Sequence, residues 1–261
     1  LLIDSHCHLD PTYLPSGADD VLTRARAAGV GTFVCIGVGR DLGAARAAVA
    51  LAGQRRDVFA TVGVHPHDAA TTDELAFDEI ARLARQPRVV AIGEIGLDYH
   101  YDHAPRDVQK GVFRRMIALA REFRKPIVIH TRSAPADTLS ILEEEKAHDV
   151  GGIIHCFSED RAFAERALDL DFDLSFSGIL TFKNAHGIRE AARYAPADRI
   201  MVETDSPFLS PVPLRGKPCE PAYVVHTARC LAELRGESFD AVARQTTLNV
   251  EKRLGLERPS G

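Results

Sequence analysis

The chain has 261 residues, of which 45% are hydrophobic and 26% charged, with a formal net charge of −5. A chain of that length can bury one full core; its composition excludes intrinsic disorder, its acidity excludes a broad face of phosphate-neutralising cations, and no apolar run reaches membrane-spanning length. The five cysteines, Cys7, Cys35, Cys156, Cys219 and Cys230, are odd in number and form no CxxC pair, which suggests neither a disulfide framework nor a thiolate zinc site; with no export-signal pattern at the start, the cytoplasm is the expected location.

The first apolar run, Leu1-Leu2-Ile3, begins a strand over 1–8 that carries His6 and His8. Residues two apart on a strand share a face. Both imidazoles therefore point to one place, where a metal ion fits, and the same alternation puts Asp4 beside them to ligate or orient. Further strands are expected at 31–37, 58–64, 89–95, 126–131, 151–157, 172–178 and 199–204. Amphipathic helices are expected between them at 18–28, 41–53, 73–85, 105–124, 134–147, 159–169 and 184–195, and after the last strand at 220–235. In 105–124 a wide apolar stripe opposes an arginine-rich side, which reads as a solvated face.

Strict alternation implies right-handed crossovers and a parallel sheet. Eight such units in this length make an α/β fold, a (β/α)8 TIM barrel, forming a single domain over 1–261. A C-terminal helix over 238–254 is left to pack on the outside or an end.

Ionisable residues fall at or just past the C-terminal ends of these strands: His6 and His8, His65 and His67, Glu94 and Asp98, His130, His155, Glu203 and Asp205. A barrel gathers those ends into one mouth, where barrel enzymes build their sites. Four imidazoles with at least two carboxylates exceed the tetrahedral need of one zinc ion, which favours a centre of two divalent ions ~3.5–4 Å apart. Glu94, after the apolar run from Val89 to Gly93, is the natural bridge, because an unpaired carboxylate there is costly. Asp205 is the first candidate for a ligand that also accepts the proton of a nucleophilic water, and Glu203 is the second; Glu203 can equally serve as the hydrogen-bond partner of a histidine. His65, Arg132, Lys183, Arg215 and Lys217 are expected to give local positive charge for an anionic substrate, and Tyr99 or Phe182 to stack on a base. Histidine plus carboxylate accommodates magnesium, manganese or zinc.

The motifs resemble those of the TatD family of metal-dependent hydrolases, a branch of the amidohydrolase-like barrels. The resemblance rests on Asp4-Ser5-His6-Cys7-His8-Leu9, Gly63-Val64-His65-Pro66-His67, Gly93-Glu94-Ile95-Gly96-Leu97-Asp98-Tyr99, Ile129-His130-Thr131-Arg132, His155-Cys156-Phe157-Ser158, Thr181-Phe182-Lys183-Asn184 and Glu203-Thr204-Asp205-Ser206-Pro207-Phe208-Leu209. It implies a divalent-metal deoxyribonuclease, commonly a 3′-to-5′ exonuclease on single-stranded DNA ends, with metal ligands at His6, His8, Glu94, His130, His155 and Asp205. Two positions depart from the family pattern: Cys219 stands where an asparagine precedes Glu-Pro, and Glu159 where a glycine follows His-Cys-Phe-Ser. Hydrolysis of C–N bonds in a small molecule is the competing enzymatic reading. A metal-dependent scaffold is the non-enzymatic one, disfavoured by the spare carboxylate Glu203. No membrane partner is implied, and the oligomeric state stays open, a monomer included.

Overall fold

The apolar runs form eight strands: β1 (Leu2–Cys7), β2 (Val30–Gly37), β3 (Val58–Val62), β4 (Val89–Asp98), β5 (Ile127–Arg132), β6 (Gly152–Ile154), β7 (Phe172–Phe176) and β8 (Ile200–Val202). Among the described residues nine α-helices accompany them: α1 (Asp19–Ala27), α2 (Gly43–Gln54), α3 (Glu74–Ala84), α4 (Arg106–Phe123), α5 (Pro135–Glu144), α6 (Arg161–Asp169), α7 (His186–Tyr194), α8 (Val224–Arg235) and α9 (Phe239–Leu254). These elements come from a computed structural model that describes residues 1–256. The sheet runs β1 to β8 in sequence order, each consecutive pair of strands parallel. Closure occurs just past β8, where Asp205 N donates to His6 O and His8 N to Ser206 O, both at 2.9 Å. The expected (β/α)8 barrel is therefore present.

Strand residues divide between two apolar layers. Leu2, Phe33, Val62, Ile92, Ile129 and Phe172 face the helices, while Ile3, Val34, Ile36, Ala91, Val128, Ile153 and Met201 fill the barrel interior. Val250 and Leu254 of α9 belong to the inner layer. Asn249 Nδ2 donates to Ile200 O at 2.7 Å, and Arg253 pairs with Asp171 and Asp173, so α9 closes the N-terminal end of the barrel. The opposite end is left for chemistry. Helix ends follow local rules: Asp73 caps α3 by accepting from Ala76 N, and Asp160 caps α6 by accepting from Phe163 N. On α4, Arg106, Arg114, Arg115 and Arg121 all pair with carboxylates, as a solvated face does. No helix of the described residues is long and apolar enough to cross a membrane.

Two bulges aim side chains at the mouth. Along β1 the pairing with β2 slips between Asp4, opposite Phe33, and Cys7, opposite Cys35. An extra residue shifts the alternation. Asp4 consequently does not share a face with the two imidazoles, contrary to the expectation from period two. It is fully buried and accepts from Thr204 N at 2.9 Å and Thr204 Oγ1 at 2.6 Å, fixing the chain between Glu203 and Asp205. Along β4 the slip lies between Gly93 and Ile95, so Glu94 sits on a bulge inside a strand that continues to Asp98. Gly96 lies opposite His130 at φ +143°, and a Cβ there would stand 1.9 Å from His130 O, so only glycine lets the two strands approach. β6 and β8 are three residues each, shorter than expected, because His155-Cys156 turns away and Glu203-Thr204 leaves the ladder.

Burial pushes the Asp4 carboxyl up from 3.8 to about 8, against the hydrogen bonds from Thr204. The folded pKa is raised, so the stability it contributes is full below 3.8 and is lost as pH rises toward about 8. Asp4→Asn keeps the shape without the ionisation. In metal-free protein, its urea midpoint relative to the parent is expected to rise steadily between pH 4 and pH 8. A difference independent of pH would show that Asp4 is ionised in the fold.

Candidate metal centre and substrate cleft

The mouth collects side chains from six strands and the turns that follow them. His6 Nε2 lies 3.4 Å from Glu94 Oε2 and 3.6 Å from Asp205 Oδ1, and His8 Nε2 lies 3.5 Å from the same Asp205 oxygen. The other Glu94 oxygen, Oε1, faces His130 Nδ1 at 2.8 Å, His155 Nε2 at 2.9 Å and His65 Nε2 at 3.5 Å. Glu94 thus has one oxygen turned to each of two histidine groups. Three sets, two of them sharing His6, have donor atoms within 4.8 Å of one another: His6, His8 and Asp205; His65, Glu94 and His130; His6, His155 and Glu203.

This donor set fits a divalent ion. His6 is fully buried, and among the described residues neither of its ring nitrogens has a hydrogen-bond partner, nor does Glu203 Oε2. Orphaned polar atoms in a protein interior cost free energy that a bound cation would recover. Ligand lengths of ~2.0–2.2 Å put neighbouring donors of a tetrahedron ~3.3–3.6 Å apart. The spacings of His6 and His8 to Glu94 and Asp205, 3.4–3.6 Å, fall there.

Electrostatics prepares the ligands. Burial alone would raise the Glu94 carboxyl, but the imidazoles of His155, His65 and His130 hold it well below the usual range. Asp205 is lowered too, His8 and His155 outweighing burial. Both are ionised, as ligands must be. Two further carboxylates orient histidines: Glu203 Oε1 pairs with His155 Nδ1 at 3.0 Å and accepts from Cys156 N, and Asp98 Oδ2 pairs with His130 Nε2 at 3.1 Å. Asp98 also holds His67, at 2.9 Å. His65 differs from expectation, because burial pushes its pKa down to about 4 and leaves the ring neutral, facing Glu94 instead of supplying positive charge.

A cleft of about 570 Å³ opens above these residues. Of the residues expected to touch substrate, His65 and Arg132 line it. Tyr99, Phe182, Lys183, Arg215 and Lys217 are not among its lining. Tyr99 turns its hydroxyl to Asp137 Oδ2 at 2.7 Å, and Phe182 lies beneath the Arg215 guanidinium, 3.8 Å from its carbon to the ring centre. In their place stand Tyr13, Tyr101 and Phe208, which sequence reasoning missed. All three lie in loops beyond the strand ends, Tyr101 in the turn after β4, where strand alternation gives no direction.

The family model described as TatD related DNase matches residues 3–255. The chain belongs to the TatD family. It is 46% identical over 251 residues to the Escherichia coli K12 uncharacterized metal-dependent hydrolase YcfH, covering 95% of this chain and 93% of that one. It is 32% identical to a Klebsiella pneumoniae protein named 3′-5′ ssDNA/RNA exonuclease TatD, covering 98% of each. Among solved structures, YJJV, a TatD homologue from Escherichia coli K12, superposes with a TM-score of 0.90 at 26% identity, covering 98% of each chain. This TatD-family chain is accordingly a metal-dependent hydrolase. Its two departures from the family motifs lie off the cleft: Cys219 is buried, its N donating to Pro207 O at 3.0 Å, and Glu159 is half-buried.

Proposed function

We propose that this hydrolase is a phosphodiesterase acting on single-stranded nucleic acid, and specifically a 3′-to-5′ deoxyribonuclease working from strand ends. The observation that carries the reading is the position of Glu94, whose two oxygens each face a separate histidine group beneath a cleft lined with aromatics. Two divalent ions, magnesium, manganese or zinc, held by His6, His8, His130, His155 and Asp205 with Glu94 shared, would supply Lewis acidity at the phosphoryl oxygen and a lowered pKa for water. The chain's own residues do the rest. Asp205, ionised and at the cleft floor, accepts the proton of the attacking water. Glu203 holds His155 in one tautomer and orientation through Nδ1. Arg132 binds the phosphate. Tyr99, Phe182, Lys183, Arg215 and Lys217, outside the cleft, guide a longer strand toward it. The five free cysteines accord with a cytoplasmic protein.

The test is to incubate metal-reconstituted protein with end-labelled DNA and RNA, single- and double-stranded, beside simple phosphodiesters and amides. Mononucleotides released from single-stranded DNA are expected. Cleavage of amides alone would replace this reading by C–N hydrolysis.

Among the described residues lining the cleft, Arg132 is the sole arginine or lysine. Binding of a single strand should therefore fall gently with salt: Arg132 with Lys183, Arg215 and Lys217 outside the cleft gives a logarithmic slope of about −3 or shallower, at ~0.7 per phosphate contact. Arg132→Ala should weaken binding and flatten that slope by ~0.7. Fluorescence anisotropy at several salt concentrations reads both; a slope near −5 would show a long basic track instead.

A further inference from the structure

Of the four exposed aromatic side chains among the described residues, Tyr13, Tyr101, Tyr194 and Phe208, three line the cleft. Scattered surface aromatics need no explanation, but three gathered at one mouth do. They fall into two groups. Tyr13, in the loop after β1, and Phe208, in the loop after β8, meet edge to face at 5.5 Å, and each meets the His8 ring, at 5.5 and 6.0 Å respectively. Tyr101, in the loop after β4, stacks parallel to His103 at 5.6 Å, and the guanidinium carbon of Arg132, at the end of β5, lies 4.9 Å from its ring centre. In a ring of eight strands taken in sequence order, β1 and β8 lie across the barrel from β4 and β5. The two groups are therefore opposite lips, with the Glu94 carboxylate between them. One lip is uncharged; the other carries a guanidinium with no ion-pair or hydrogen-bond partner among the described residues.

We infer that the cleft is a two-lipped clamp that stacks the two nucleosides flanking the cut phosphate, one on Tyr13 and Phe208 and the other on Tyr101, with the Arg132 guanidinium beside Tyr101 held for the phosphate between them. This rests on the phosphodiesterase reading and adds how the strand is held. Stacking accepts any base, since every base presents a π face, so the clamp selects unpaired nucleotides without selecting sequence. A duplex end, whose bases are already stacked and paired, must be frayed before it can enter.

The parent protein itself provides the first test. Binding of a fluorescein-labelled, phosphorothioate-linked single-stranded hexanucleotide, intact or abasic at its two 3′-terminal positions, is measured by anisotropy in calcium. Each missing base is expected to weaken binding roughly 5- to 150-fold. Phe208→Ala and Tyr101→Ala are each expected to impose a loss of that size on the intact strand, and each to make one abasic position nearly silent, while Phe208→Tyr and Tyr101→Phe bind as the parent does. All four natural bases at the end should bind within a few-fold of one another. Equal binding of intact and abasic strands by the parent overturns the clamp, and if that protein still releases mononucleotides the phosphodiesterase reading survives. No binding and no cutting of any oligonucleotide overturns both.

Discussion

Glu94→Gln is expected to lower turnover on single-stranded DNA by at least ~10³-fold, because Lewis-acid stabilisation of the transition state is worth several kcal/mol and this carboxylate is the piece shared by both histidine groups. The amide keeps the shape and can still hydrogen-bond His130 and His155, so the loss reports charge and ligation. His130→Ala should lose a comparable factor. Neither change touches the packed layers: the interior below is Ile3, Val34, Ile36, Ala91, Val128, Ile153 and Met201, closed by α9. Circular dichroism melts of the metal-free proteins should therefore remain cooperative and close to the parent. If either variant loses its fold instead of its activity, the residue is structural.

The second large effect concerns strand ends. A linear single strand with a free 3′ end should be shortened one nucleotide at a time, while a covalently closed single-stranded circle of the same sequence survives the same incubation. The reason is geometric. A cleft of about 570 Å³ has room for a few nucleotides and not for a chain running through in both directions. Gel analysis of both substrates over one time course makes the comparison. Rapid cutting of circles would remove the exonuclease assignment and leave metal-dependent phosphodiester hydrolysis in place.

All eight strands were legible because buried parallel strands read as near-continuous apolar runs, and each is followed by an amphipathic stretch. Residues such as His130 and His155 were legible as site candidates for a related reason: each follows an apolar run, and a barrel brings those ends together. Asp4 was misplaced because counting in twos from Leu2 to His8 loses phase at a bulge, which needs the partner strand to be seen. The rim was least legible. Tyr13, Tyr101 and Phe208 lie in loops, where no period says which way a side chain points, whereas Phe182 and Lys183 follow the seventh strand, where barrels often build phosphate sites. His65 kept its place and lost its expected charge, because burial against Glu94 depends on the closed barrel.

The most direct measurement is a metal titration. Metal-free protein is given manganese in steps, and at each step bound metal per chain and mononucleotide release from an end-labelled single strand are measured together. The account predicts no release without metal, and release that rises until two ions are bound per parent chain, with Glu94→Gln binding fewer and releasing almost nothing. Full hydrolysis by the metal-free protein, or by parent protein holding no more metal than Glu94→Gln does, would contradict it.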